Sequence, residues 1–348
     1  MALSQKIIDK MNAFRASTAP LVFKCIKDRN AFINDLKDRC NDPTNIAQEE
    51  TSLCGPAAFM YCIAHERPNE YAEYVLDLAS TGKAYLGNME VAPKRNLSKP
   101  LSGDSVELPP AQDVFTAGID RISPVDWVAL ASLRDASNYL FRMGRSTAEA
   151  AGITDGGTLA NWFKKTGWFK DVRDDSSNGR KMPMNNLLGI NGLPASYVCL
   201  LVNQTVITNP NNIEKDFLGN TPNHWVVLDN SKNKNSIGTN KPHGSKILAY
   251  DPRQSNYSYP AVFPGGDFDM TFNPALVGDG GAEAKSRYLD ERNNKYRDTE
   301  KQQLNIEVYS WGQERLLLYP HLQNPLWPIN TTIETFLKGY FGFVSAAH

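Results

Sequence analysis

The sequence predicts an α+β protein, with helices in its first part and a mostly antiparallel sheet after them. Up to about residue 195, apolar residues recur at helical spacing and often follow residues that favour helix starts. Beyond that point they fall in short runs rich in β-branched and aromatic side chains, separated by polar stretches. We therefore interpret the chain, 1–348, as one domain with a mainly helical lobe, 1–195, and a strand-rich lobe, 196–348.

The helices of the first lobe are predicted from apolar stripes and from the residues at their ends. Ser123 and Pro124 suit the N-cap and first position of a helix, and Gly167 suits a helix end. Residues 82–122 are rich in Gly, Pro and Ser and are interpreted as a long connection. The predicted helices cover 26–40, 54–66, 68–80, 124–141 and 158–166.

The second lobe is predicted from its short apolar runs. Two polar stretches, 230–245 and 252–303, lack the periodicity of a core element and are interpreted as insertions. The tail, 331–343, is expected to form a short amphipathic helix. The predicted strands cover 196–203, 224–229, 246–251, 304–311 and 315–320.

Composition narrows the functional classes. The formal net charge of −1 argues against a nucleic-acid or membrane-surface partner, since both usually require a basic excess. No run of 18 apolar residues occurs, so no transmembrane helix is expected. The first residues lack the continuous apolar stretch of a secretory signal, so we expect synthesis in the cytoplasm and any export by another route.

The cysteines and histidines indicate neither a disulfide framework nor a metal site. The five cysteines are scattered, contain no Cys-x-x-Cys pair and are odd in number. The five histidines are isolated from one another, whereas a zinc site requires closely spaced ligands. Phosphate-binding GxxxxGK and the hydrolase motifs HExxH and GxSxG are also absent from the sequence. We therefore expect no cofactor and no metal.

Cys54 is the strongest candidate for chemistry. It lies in the first turn of a predicted helix, where free backbone N–H groups and the helix dipole stabilise a thiolate. The thiolate is the nucleophilic form of cysteine. Gln48, six residues earlier, can fold back so that its amide and the Cys54 N–H form an oxyanion hole. Such donors contribute about 2.7–4 kcal/mol each to acyl transfer.

His224 and Asp251 are the candidates for the base and its partner. His224 begins an apolar strand, which puts its ring at the rim of the sheet. Asp251 ends the strand 246–251, and if the two strands are antiparallel neighbours, it returns close to His224. Its carboxylate would then hold the imidazole in one tautomer. Asp229 is the reserve candidate for this role, although on the same strand it should point away from the rim.

These segments resemble the papain-like cysteine peptidases, and most of all the bacteriocin-processing, double-glycine branch. The resemblance covers about a third of the chain: Gln48 and Cys54-Gly-Pro-Ala, the helix and turn at 157–167, His224-Trp-Val-Val-Leu, and Tyr250-Asp-Pro. It implies a helical lobe with the cysteine packed on an antiparallel sheet with the His and Asp. It also implies that Cys54 is the nucleophile, His224 the base and acid, Asp251 the orienting residue and Gln48 the oxyanion donor.

Several features depart from that branch. Its peptidases usually precede an ATP-driven exporter, whereas this chain has neither a membrane span nor a Walker motif. The interval of 27 residues between His224 and Asp251 is long. The segment 309–312, Tyr-Ser-Trp-Gly, resembles the Asn-Ser-Trp-Gly of papain with Tyr in place of Asn, so Asp251 ranks above it.

The extra helices and inserts also resemble bacterial effectors that are delivered into rival or host cells. That resemblance implies a protein substrate, an immunity protein and a secretion-system component as partners. A cell-wall amidase of the NlpC type, a deamidase or a transglutaminase is the alternative on the same site. A non-catalytic binding protein on a decayed peptidase fold is the alternative from another class. Cys62 and Cys199 are interpreted as core residues, and His65 lies three helical turns from Cys54, too far to be the base.

Overall fold

The computed structural model contains helices packed on an antiparallel sheet, so the predicted α+β class is confirmed. Within the described ranges, no helix is both long and apolar enough to cross a membrane. The structure describes residues 3–48, 51–93, 122–137, 154–177, 179–190, 193, 196–208, 221–228, 303–310 and 326–348.

Among the described residues, six longer helices make up the first part of the fold. Several begin at side chains that accept a hydrogen bond from the first turn, namely Ser4, Asp28, Ser123 and Asp155. The fifth helix contains a π-helical turn, Trp127–Ala131, between Pro124–Asp126 and Ser132–Ser137. The helices are α1 Gln5–Ala16, α2 Arg29–Asn41, α3 Cys54–Glu66, α4 Pro68–Thr81, α5 over 124–137 and α6 Gly156–Thr166.

The main sheet has six strands in the order β3-β8-β4-β5-β6-β7, and every neighbouring pair is antiparallel. A separate two-stranded hairpin, β1–β2, follows α4. Three short helices connect or flank the strands: α7 Met184–Gly189, α8 Thr205–Thr208 and α9 Ile333–Leu337. The strands are β1 Ala84–Leu86, β2 Met89–Val91, β3 Asp171–Ser176, β4 Ser196–Val202, β5 His224–Leu228, β6 Gln303–Tyr309, β7 Leu326–Thr332 and β8 Tyr340–Ala347.

Several boundaries differ from the sequence prediction. Helix α6 begins at Gly156 rather than Thr158, because Asp155 accepts a hydrogen bond from the Thr158 N–H and is the N-cap. The start of the 82–122 connection contains the β1–β2 hairpin. The strands predicted at 246–251 and 315–320, and the inserts 230–245 and 252–302, lie outside the described residues.

The prediction for the tail is wrong in its main part. Only Ile333–Leu337 is helical, and the apolar residues after it form β8, which lies between β3 and β4 inside the sheet. Every residue of β8 is buried, and a continuous apolar run of this length fits a strand covered on both faces as well as a helix. The sequence prediction also omits strand β3, because this strand is polar and partly exposed and lacks an apolar run. It lies before residue 196, in the part of the chain that the sequence predicts to be mainly helical.

The sheet separates two hydrophobic clusters. The first cluster contains the helices α1–α6 and one face of the sheet, including Tyr197, Cys199 and Leu201 of β4. The second cluster contains the alternate residues of the same strand and the short helices on the opposite face. The alternation of side chains along β4 thus contributes to both clusters at once.

Gly342 allows β8 to approach β3 closely. Its φ of 105° is in the region that L side chains rarely adopt, and a Cβ there would lie 2.2 Å from the Asp175 carbonyl oxygen. A larger residue at this position would therefore push apart the pair of strands that ends the sheet.

Candidate active site

Helix α3 places Cys54 at the start of a helix buried on all sides. Residues 54–64 are buried, and α3 packs against α4, α5, α6 and strand β5. No side chain caps its N-terminus, where Leu53 is the N-cap residue. The third helical residue, Pro56, has no N–H to satisfy, and the Ala57 N–H donates to the Leu53 carbonyl. The amides of the first turn and the helix dipole therefore favour negative charge at this end.

Three of the other cysteines are buried thiols of raised pKa. Burial raises the pKa of both Cys25 and Cys40 to about 12, so these thiols are protonated at neutral pH. Burial and the neighbouring Cys199 thiol raise the pKa of Cys62 well above its ordinary value. All five cysteines are free and buried, and Cys54, 8% exposed, is the one that begins a helix.

Gln48 lies in the loop that leads to α3. Gln48 is 5% exposed. Its backbone carbonyl accepts hydrogen bonds from the N–H and the hydroxyl of Thr51. Burial raises the pKa of the Asp126 carboxyl, and the backbone N–H of the preceding residue, Ala47, is among the groups that oppose this rise. Among the described residues, the Gln48 Oε1 atom is buried without a hydrogen-bond partner. A buried amide in this state costs about 1–3 kcal/mol, so the fold holds Gln48 without fully satisfying it.

His224 begins β5, as the sequence predicts, and its ring is hydrogen-bonded to Ser310. The Nε2 atom lies 2.7 Å from the Ser310 Oγ. His224 is 4% exposed and Ser310 is fully buried, just after the end of β6. Sequence reasoning did not select Ser310, although it is the serine of the Tyr-Ser-Trp-Gly segment that resembles papain.

Thr154 links the beginnings of α3 and β5. A Cβ at Gly55 would lie 2.4 Å from the Thr154 Cβ, so the helix backbone packs directly on this threonine. The Thr154 carbonyl accepts a hydrogen bond of 2.8 Å from the Trp225 Nε1. Gly55, which follows Cys54, and Trp225, which follows His224, therefore both contact Thr154. This link brings the two candidate residues into the same region of the fold.

The direction of the His224 side chain limits how it can meet Cys54. Trp225 and Val227 pack in the first cluster, with α3, whereas Val226 and Leu228 pack in the second. Alternation along the strand assigns His224 to the same face as Val226, and Ser310 lies on that side. The imidazole must therefore approach the N-terminus of α3 around the rim of the sheet.

Asp251 and the strand predicted at 246–251 lie outside the described residues. Among the described strands, β5 is paired with β4 on one edge and, at Val227 and Leu228, with β6 on the other. The pairing of 246–251 with β5 and the role of Asp251 therefore stay predictions. The reserve candidate, Asp229, also lies outside the described residues.

His65 occupies the opposite end of α3. Its Nδ1 lies 2.8 Å from the Tyr197 hydroxyl. That hydroxyl donates a hydrogen bond to Glu66. This position agrees with the expectation that His65 is remote from Cys54. His243 lies outside the described residues.

The described part of the chain contains no group of three or more His, Cys, Asp or Glu side chains that could hold a metal ion. Comparison of the chain with protein-family models, curated proteins and solved structures gives no match. The chemistry of Cys54, Gln48, His224 and Ser310 therefore carries the functional argument.

Proposed function

We propose that the chain is a papain-like cysteine peptidase with Cys54 as its nucleophile. The observation that carries the proposal is the position of this cysteine at the uncapped N-terminus of the central buried helix. The link from Gly55 through Thr154 to Trp225, next to His224, supports the same site. None of the other four cysteines begins a helix.

In the proposed reaction, the Nδ1 of His224 takes the Cys54 proton, since Nε2 is bonded to Ser310. The thiolate attacks the carbonyl carbon of a peptide bond, and the oxyanion accepts hydrogen bonds from the Cys54 N–H and the Gln48 amide. The protonated His224 then gives its proton to the leaving amine. Water hydrolyses the thioester, which releases the acid and restores the thiol.

The test of this proposal is the reactivity of Cys54 towards iodoacetamide. At pH 7 we expect it to be alkylated about tenfold faster in the native protein than in the denatured chain, because only the thiolate reacts. Mass spectrometry identifies the modified cysteine. Replacing the base, in His224→Gln, should reduce the rate to that of the denatured chain.

The matched control is Cys25→Ala, which removes a buried thiol of raised pKa and should leave the labelling of Cys54 unchanged. Equal alkylation rates in native and denatured protein would contradict the proposal, as would an unchanged rate in His224→Gln. The role as a delivered effector, with its immunity protein and secretion partner, stays a prediction from the sequence.

A further inference from the structure

We infer that Ser310 is the residue that positions the His224 imidazole, in the place where the sequence predicts Asp251. The inference rests on the proposed function, because a positioned base matters only if Cys54 is the nucleophile. It assigns to a neutral hydroxyl the task that a carboxylate or an amide performs in a Cys-His-acid triad.

The register of the sheet brings Ser310 to His224. Val227 pairs with Tyr309, so the next residue, Ser310, is opposite Val226 and lies diagonally from His224 on the same face. Diagonal neighbours in antiparallel strands are about 7–8 Å apart between backbones, a gap that an imidazole can span. The observed Nε2–Oγ distance of 2.7 Å corresponds to a direct hydrogen bond.

Burial of both side chains makes the hydrogen bond between His224 and Ser310 energetically important. Both side chains are shielded from solvent, and a buried ring nitrogen without a partner would be costly. When Nε2–H donates to Ser310 Oγ, the neutral ring carries its lone pair on Nδ1. That tautomer presents Nδ1, rather than an N–H, to a thiol, as the proposed reaction requires. A Ser310 hydroxyl that accepts from Nε2–H thus leaves Nδ1 as the basic nitrogen, without contacting the substrate.

The experiment compares Ser310→Ala, Ser310→Thr and, as the control, Ser345→Ala, which alters a buried serine of β8. The tautomer of His224 is measured by nitrogen NMR of histidine-labelled protein. The measurement uses the Cys54→Ala background, so that the Cys54 thiol cannot influence the tautomer. The alkylation rate of Cys54 is measured in parallel in the same variants with Cys54 intact. A melting curve checks that each variant is folded, and Ser310→Ala, which only removes an atom, does not overpack the site.

We expect the parent protein to hold the Nε2–H tautomer, and Ser310→Ala to populate both tautomers. Its alkylation rate should fall about 3- to 10-fold, the factor expected for one neutral hydrogen bond. Ser310→Thr retains a hydroxyl and should preserve both the tautomer and the alkylation rate, and Ser345→Ala should change neither.

An unchanged tautomer in Ser310→Ala would overturn the inference, as would a change in Ser345→Ala of the kind expected for Ser310→Ala. The NMR results test only the hydrogen bond between His224 and Ser310, because the tautomer is measured in protein that lacks the Cys54 thiol. Absence of accelerated alkylation in the parent protein would instead overturn the proposed function, and the positioning role with it.

Discussion

At the scale of single residues, a buried ion pair lies beside the loop that carries Gln48. The Arg39 guanidinium lies 2.9 Å from Asp126, whose carboxylate also accepts from the Ser123 hydroxyl. Burial alone lowers the pKa of Arg39, but the Asp126 carboxylate more than offsets this and raises it, so the guanidinium stays charged. The backbone N–H of Ala47, one residue before Gln48, also favours the charged Asp126 carboxylate, so we expect the pair to support the candidate oxyanion donor.

Replacing Asp126 by Asn tests this support. The substitution leaves Arg39 buried without its counter-charge, so we expect the free energy of unfolding to fall by about 3–5 kcal/mol. Urea denaturation followed by circular dichroism measures the change. The control is Asp77→Asn, which breaks a partly exposed bridge to Lys10 and should cost about 0–1 kcal/mol. Equal effects of the two substitutions would show that the buried pair has no special role.

At the scale of elements, the sequence predicts what local chemistry determines. The start of α3 at Cys54, the cap at Ser123 and the left-handed end of α6 at Gly167 are all found in the structure. Each depends on residues that lie within one helical turn of one another. The position of His224 at the start of β5 is also confirmed, since an apolar run begins there.

The failures concern contacts between distant parts of the chain. The buried strand β8 has the same apolar pattern as a helix, and only its place between β3 and β4 decides between them. Similarly, Ser310 becomes the neighbour of His224 because β6 occupies the edge of β5, which no local pattern indicates. The sequence therefore predicts the positions of Cys54 and His224 in their elements, but not the hydrogen-bond partner of the His224 ring.

The contact between α3 and Thr154 gives a prediction at this scale. In Gly55→Ala, the added methyl would overlap the Thr154 side chain, and we expect the stability to fall by about 1–3 kcal/mol despite the higher helix propensity of alanine. Adding Thr154→Gly removes the overlapping atoms, so the double variant should lose less than the sum of the two single variants. Chemical denaturation of the four proteins provides the cycle.

Gly189 provides the matched control, because an added Cβ there meets no atom within 4 Å. The helical substitution Gly189→Ala should stabilise the protein by about 0.4–1 kcal/mol. A comparable gain in Gly55→Ala would contradict the close packing of α3 on Thr154.

At the scale of the whole molecule, the sheet makes the helices and strands one cooperative unit. The first cluster joins the helices to residues of β4, β5 and β8, and the second covers the reverse of the same strands. Strand β8 contributes Phe341 and Val344 to one cluster and Tyr340 and Phe343 to the other. The residues that support Cys54 therefore depend on a strand almost three hundred positions later in the chain.

Removal of residues 340–348 tests this dependence. Strand β8 pairs with β3 on one side and β4 on the other, so its loss would leave β3 without a partner and expose both clusters. Fully burying one side chain the size of Phe or Val contributes about 1.5–3 kcal/mol, and four such side chains together approach the 5–15 kcal/mol stability of a typical domain. We expect the shortened protein to lose its cooperative thermal transition and the accelerated alkylation of Cys54.

The control for this truncation removes only His348, whose side chain is 42% exposed and whose Nε2 lies 3.1 Å from the Glu66 carboxylate. Loss of an exposed pair should cost about 0–1 kcal/mol and leave the alkylation rate unchanged. Differential scanning calorimetry and the iodoacetamide rate are measured on both proteins. A cooperative transition with accelerated alkylation after removal of 340–348 would mean that the helical part positions Cys54 by itself. The dependence argued from the two clusters would then be wrong, since α3 would hold its reactive end without the central strand.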